Sequence, residues 1–238
     1  MPASPFFFAR RAMMDIDEEL AGKLLEGEGR IYWATDSDGH GFFDEITPQE
    51  ALLIQPRYQK TREEKTKRTG AKAEVFTPLS TVAEINMSLW TAGEGRDTVE
   101  ARWLEACCGE GAFITTRYDA LTGEEIPPEK RMGFLDMKLR LPNADPLLCL
   151  KSCFGFEWQG DSLFLARKNV LLTYLEAGGA DIDEACRVIR TRLFQMDGIS
   201  WRLPDPCFDV RTAKQKMKKP GALEGYCSSL GLKKVQIP

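Results

Sequence analysis

The sequence predicts an α/β chain built on a parallel sheet, with an N-terminal extension. Three observations carry that prediction. The apolar stretch over 102–114 breaks at Gly109 and Gly111, where a strand would hand over to the next element. Two further apolar stretches, 154–158 and 193–197, end in Glu157 and Asp197, as the first strand ends in Glu105. Helical patterns over 160–176 and 181–192 lie between the second strand and the third, the spacing that parallel strands require.

The composition limits the alternatives. With 238 residues, the chain is long enough for one sizeable domain with an elaboration, or for two small ones. A hydrophobic fraction of 43% and five tryptophans argue for a packed core rather than disorder. The net charge of −4 gives no global attraction to nucleic acid. Seven cysteines, an odd number set in apolar stretches, predict reduced thiols in a cytoplasmic protein. No apolar run approaches the roughly 20 residues of a membrane span. Phe6, Phe7 and Phe8 are too few for a signal sequence. His40 is the single histidine, which disfavours histidine triads and His-rich metal sites. No cysteine pairs recur at zinc-like spacing, so no metal is expected.

Residues 1–56 read as an N-terminal accessory segment. Ile16, Leu20, Leu24 and Leu25 share one face of a short helix over 15–25. A strand over 30–35 and a turn at 36–39 follow. Thr47, Pro48 and Glu50 form a helix start, with Thr47 as cap, Pro48 in the first position and Glu50 closing a capping box. That helix should end near Pro56. His40, between two glycines, reads as a solvated loop residue, with a catalytic role the alternative.

Residues 57–73 are basic and helical. They are either a solvated helix or an arm that contacts phosphates, with Lys60, Arg62, Lys67 and Arg68 the candidates for a nucleic-acid backbone. Thr77 and Pro78 should open a helix over 79–90. A helix is expected to begin within 112–118, after the glycine turn. Residues 119–146 look irregular, since Gly123, Pro127, Pro128, Gly133, Pro142 and Pro146 interrupt them. Such a long connection is functional or mobile. Residues 147–153 are a short helix or a buried segment. Asp161 or Ser162 should cap the helix over 160–176, and Asp181 or Asp183 the next one. From 198 onward the sequence reads as loop and then a basic tail over 211–238.

Function enters at the strand ends. Ligands of parallel α/β sheets bind in the crevice beyond the strand C-termini. A glycine turn there lets backbone take positive φ and lets a ligand approach bare N–H groups. Glu157 is placed to accept from ribose hydroxyls, and Asp197 from a purine amine. No G-K-[ST] follows the glycines, so a P-loop is disfavoured.

These residues resemble a known family. Glu74-Val-Phe-Thr-Pro78 resembles the EVFTP motif of N6-adenine-specific DNA methyltransferases from restriction–modification systems. Residues 104–113, LEACCGEGAF, resemble that family's S-adenosylmethionine loop. Residues 154–157, FGFE, resemble its ribose-binding strand, and 194–198, FQMDG, its adenine-contacting element. The resemblance covers about 57–210. It implies a Rossmann-like S-adenosylmethionine-dependent methyltransferase sheet, with cofactor binding by Phe76, Thr77, Glu105, Cys108, Gly109, Gly111, Phe113, Glu157 and Asp197. It also implies DNA as a partner. In this family the target adenine leaves the duplex and its amine attacks the methyl group directly, so the protein mainly positions.

The sequence departs from the family in three ways. Glu105-Ala106 stands where the family has Asp-Pro. Glu157 lies about 50 residues past the glycines rather than about 20. No Asn/Asp-Pro-Pro-aromatic tetrad is present, and Asp205-Pro-Cys-Phe208 is the nearest approach. The catalytic residues are therefore unassigned. The chain reads as an adenine methyltransferase or its cofactor-binding subunit, with a second subunit supplying the tetrad and target recognition. The alternative is a non-catalytic DNA-associated or partner-binding protein on a degenerate fold.

Overall fold

A computed structural model describes residues 15–26, 31–34, 40–72, 76–92 and 98–198. The turn expected at 36–39, residues 73–75 of the EVFTP region, the Asp205–Phe208 stretch and the basic run after 210 lie outside them.

The architecture is mixed α/β around a small parallel sheet. Strands β1 (Trp103–Glu105), β2 (Cys153–Glu157) and β3 (Leu193–Gln195) lie side by side in the order β1-β2-β3, all parallel. The central strand is buried along most of its length, with Phe154 and Phe156 almost fully covered. A strand buried on both faces has a continuous apolar sequence, and residues 153–156 do.

Helix α1 (Glu18–Leu25) is capped by the Asp17 side chain. In helix α2 (Pro48–Leu53) the Thr47 hydroxyl accepts from the Glu50 N–H while the Glu50 carboxylate accepts from the Thr47 N–H at 2.8 Å. Such a box stabilises a helix start by about 1 kcal/mol. α2 stops at Leu53, short of Pro56. The strand expected over 30–35 reduces to a single antiparallel bridge, Tyr32 to Glu45, among the described residues.

A 3-10 turn (Arg57–Gln59) leads to α3 (Arg62–Lys72), and α4 (Leu79–Thr91) follows. Thr77 does not cap α4: the capping position falls on Pro78, with no side-chain bond. Between β1 and β2 run a 3-10 turn (Pro128–Lys130), α5 (Phe134–Leu139) and α6 (Pro146–Lys151). The connection read as irregular thus contains a helix of its own.

Between β2 and β3 lie α7 (Gly160–Glu176) and α8 (Ile182–Arg192). Asp181 caps α8 through the Glu184 N–H. The capping position of α7 is Gln159, with no side-chain cap bond, while Asp161 and Ser162 lie inside the first turn and Asp161 pairs with Arg68. Leu163, Ala166, Val170 and Tyr174, spaced along one face, are buried, and so are Asp161, Arg167, Asn169 and Thr173. α7 is therefore surrounded. It packs on β2, β3, α1, α6 and α8. Each fully buried Leu or Val there contributes about 1.5–3 kcal/mol.

The N-terminal residues belong to the same core. Ile16, Leu24, Ile31, Trp33, Ile46 and Ala51 join one apolar cluster with α7 and α8. The Gln195 side chain of β3 accepts from the Tyr32 N–H at 2.9 Å and donates to the Tyr32 carbonyl at 2.7 Å. The buried Arg167 guanidinium donates to the carbonyls of Leu24, Arg190 and Leu193. Among the described residues no helix is long and apolar enough to cross a membrane.

Candidate functional site

The turn after β1 is held by backbone bonds from both sides. The Cys108 N–H donates to the Phe156 carbonyl of β2 at 2.8 Å, and the Gly111 N–H donates to the Cys108 carbonyl at 2.7 Å. Both glycines have positive φ, +53° at Gly109 and +88° at Gly111. They serve different ends. A Cβ on Gly109 would meet nothing within 4 Å, so its surroundings are open. A Cβ on Gly111 would sit 3.3 Å from the Ala166 Cβ, so this glycine lets the turn pack against α7. The ligand-facing role assigned to both glycines fits Gly109 alone.

The expected helix after Gly111 does not form. The Gly111 carbonyl accepts from Ile114 and Thr115, and then the chain extends to an antiparallel bridge between Tyr118 and Glu125. Buried Asp136 at the start of α5 accepts from the Thr115 hydroxyl at 2.9 Å, the Thr116 N–H at 2.8 Å and the Gly133 N–H at 3.0 Å. These bonds satisfy groups that a helix would have used. Consequently no helix begins at Gly111, and the turn has no following helix of its own to bind an anion.

Three carboxylates surround the turn. Glu157 Oε2 accepts from the Gly109 N–H at 2.8 Å, and its Oε1 from the Gln159 N–H at 3.0 Å. Burial raises the Glu157 carboxyl above its ordinary range, these two N–H groups oppose the rise, and Asp161 adds to it. Burial also raises Glu105, against a bond from the Cys107 N–H, and the charge of Glu157 adds to it. The Cys107 thiol is pushed up by burial and by Glu157, Glu105 and Asp197 together. Asp197 lies two residues past β3, and a Cβ on Gly198 would clash with the Ala106 carbonyl. The acids of all three strand ends thus meet at one place.

Several expected contributors turn out to be structural. Cys108 is 5% exposed and packs against Gly155, with its thiol raised well above the ordinary value by burial. Only its backbone can face a ligand. Phe113 packs against the core, and its carbonyl accepts from Phe134 N–H and Asn86 Nδ2. Phe76 is half-buried with the Arg57 guanidinium 4.7 Å above its ring, and the Arg57 N–H donates to Glu110 Oε1 at 2.7 Å. Phe76 is thereby tied to the turn through one intermediary. Thr77 is half-buried beside it in the chain.

The basic arm divides. Arg62 and Lys67 are exposed. Arg68 is not: it is 4% exposed, and its Nη2 lies 2.8 Å from both Gln159 Oε1 and Asp161 Oδ2. Lys60 lies 3.4 Å from the same Asp161 oxygen. Burial of an Arg is stabilised by such pairing, and it withdraws Arg68 from any nucleic acid. Arg117, Arg131, Lys138 and Arg140 are likewise engaged. Arg117 and Arg131 pair with Glu176, and the buried Lys138 donates to the carbonyls of Val99 and Ala101 and to Ser152.

The sequence reading missed Glu110, which stands between the two glycines. It is buried, and it accepts from the Arg57 N–H and from the Tyr118 hydroxyl at 2.7 Å. Asn169 donates to the Glu110 carbonyl at 2.9 Å. Asn169 follows Arg167 and Lys168 in the sequence, so it reads as one more polar residue of that run. Nothing local marked Glu110. His40 is stacked on Trp33 at 4.0 Å rather than freely solvated, and Cys107 is exposed.

A separate cleft of about 610 Å³ lies between α2 and α3, lined by Trp33, His40, Ile54, Lys67, Arg68 and Asp161 among others. None of the turn residues lines it. Among the described residues, no group of three or more His, Cys, Asp or Glu is placed to hold a metal ion.

No protein-family model matches the chain, and no curated protein or solved structure matches it significantly.

Proposed function

We propose that the chain is an S-adenosylmethionine-dependent DNA adenine-N6 methyltransferase of the restriction–modification type, or the cofactor-binding subunit of one, built on a Rossmann-like sheet. The observation that carries this reading is the meeting of Glu105, Glu157 and Asp197 at the open Gly109 turn, beyond the strand ends of a parallel sheet.

The local charge supports a cationic nucleoside. Carboxylates from three strands repel a polyphosphate and attract a sulfonium. No helix follows the glycines directly to offset that repulsion. Glu157 spends one lone pair of each oxygen on backbone N–H groups, which leaves the others for ribose hydroxyls. Gly109 leaves room where any side chain would intrude. S-adenosylmethionine supplies an electrophilic methyl group. This chain contributes orientation: Glu157 for the sugar, Asp197 for the purine amine, and Gly109 for close backbone approach. Arg62 and Lys67 are the exposed cations for a DNA backbone. Cys107, Cys108, Cys149, Cys153 and Cys186 are free thiols, which agrees with a reducing, cytoplasmic setting.

A second reading rests on the missing tetrad. These 238 residues then belong either to an enzyme whose tetrad is supplied from outside them or to a non-catalytic DNA-associated or partner-binding protein. Calorimetric titration with S-adenosylmethionine tests the cofactor site: saturable binding is expected, and its absence refutes the proposal. Transfer of a labelled methyl group to DNA, by the chain alone and with a tetrad-bearing partner, then separates enzyme, subunit and relic.

A further inference from the structure

We propose that Arg68 is a positioning residue for the Glu157 carboxylate, acting through the turn that joins β2 to α7. The inference rests on the cofactor reading above and adds a residue to it.

The connection is continuous. Arg68 Nη2 contacts Gln159 Oε1 and Asp161 Oδ2, each at 2.8 Å. The Gln159 N–H donates to Glu157 Oε1 at 3.0 Å. Gln159 and Asp161 are 6% and 3% exposed, so neither can exchange its partner for water cheaply. One guanidinium thus holds the side chain of the residue that aims an N–H at Glu157, together with Asp161 two positions on. It also offsets the negative charge of Asp161.

That second role gives Arg68 a signature. Glu157 is faced by Glu105 from β1, by Asp197 beyond β3, by Cys107 and Cys108 of the turn, and by Asp161 from α7 with its partners Arg68 and Lys60. Asp161 disfavours the ionised form of Glu157. Removing Arg68 strengthens that effect, while removing the Asp161 charge weakens it. An ionised carboxylate accepts from ribose hydroxyls more strongly than a protonated one, so cofactor affinity fades as pH falls through the Glu157 titration. Arg68→Met moves this midpoint up, and Asp161→Asn moves it down. A side chain that merely filled space would move neither.

The test is calorimetric titration of the full chain with S-adenosylmethionine between about pH 5 and pH 8. The proteins are wild type, Arg68→Met, Arg68→Lys and Asp161→Asn. Arg68→Met is expected to bind roughly tenfold more weakly at neutral pH, with the midpoint raised by about one pH unit. Arg68→Lys keeps the charge but not the fork, so it recovers the midpoint better than the affinity. Asp161→Asn lowers the midpoint. A folded Arg68→Met with wild-type affinity and midpoint overturns the proposal. If Arg68→Met does not fold, an unchanged midpoint in Asp161→Asn overturns it equally, and a lowered one supports it. Wild type that binds no S-adenosylmethionine at any pH defeats the cofactor reading itself, and the inference falls with it. Binding by wild type with indifferent variants defeats the inference alone.

Discussion

The Gly109 amide donates to the Glu157 carboxylate at 2.8 Å, across 48 positions of sequence. The end of the second strand therefore fixes the turn after the first before any ligand arrives. A ligand at this place meets a preorganised edge rather than a loose loop. That lowers the ordering cost of binding.

The two glycines predict opposite outcomes. Gly111→Ala drives a Cβ against Ala166 at positive φ, and it should destabilise the protein by about 2 kcal/mol. Gly109→Ala carries the φ strain alone, about 1 kcal/mol, but fills the open side of the turn. Thermal melts should rank Gly111→Ala lower. Titration with S-adenosylmethionine should show the larger loss of affinity per unit of stability in Gly109→Ala. The reverse ranking would exchange the two roles.

Glu105→Gln should stabilise the chain at neutral pH by about 0.5–1 kcal/mol while weakening cofactor binding. Burial and then the charge of Glu157 raise the Glu105 carboxyl in the folded state. A raised carboxyl contributes stability fully below its unfolded value and loses it as pH rises through the folded one. The advantage of glutamine should therefore appear at neutral pH and vanish near pH 4, roughly the unfolded value. Denaturant titrations at both pH values check this.

Asn86 seats α4 on the loop that follows the turn. Its Nδ2 donates to the carbonyls of Phe113 and Met132, at 3.1 and 2.7 Å, and the residue is fully buried. Asn86→Ala should cost about 2–3 kcal/mol. Asn86→Asp should cost more at neutral pH, because a carboxylate would face two carbonyl oxygens. Its buried carboxyl would titrate high, so the gap between the two variants should narrow on acidification. Chemical unfolding at two pH values measures the gap.

Cys107 offers a reporter of occupancy. It is the exposed thiol among the described cysteines, and burial of its sulfur together with Glu157, Glu105 and Asp197 raises its titration. Alkylation at about pH 8 should run roughly tenfold slower than that of a small free thiol. Saturating S-adenosylmethionine should slow it further. Mass spectrometry of the peptide that carries Cys107 gives the rate. No protection by the cofactor would count against the site.

Local patterns made much of this legible. The three strands and their terminal acids, the box at Thr47 and Glu50, and the helices α7 and α8 are written in short windows of sequence. What escaped depends on distant partners. The helix expected after Gly111 is displaced by bonds to Asp136, about 20 residues on. Arg68 reads as one more solvated cation until Asp161, 93 positions later, is seen beside it. The connection over 119–146 reads as functional or mobile, yet Glu176 and backbone carbonyls hold Arg117, Arg131, Lys138 and Arg140 in place. Charge shows in a sequence, but the partner that neutralises it does not.

The clasp between Gln195 and Tyr32 has a temporal consequence. Its two halves are separated by 163 positions, and the Arg167 bond to Leu24 spans 143. While the chain is being synthesised, the first helix has no finished surface on which to settle until nearly the whole sheet has left the ribosome. Non-local closure of this kind makes assembly late and slow. An abrupt stop codon upstream of β3 should accordingly yield insoluble polypeptide rather than a smaller working unit.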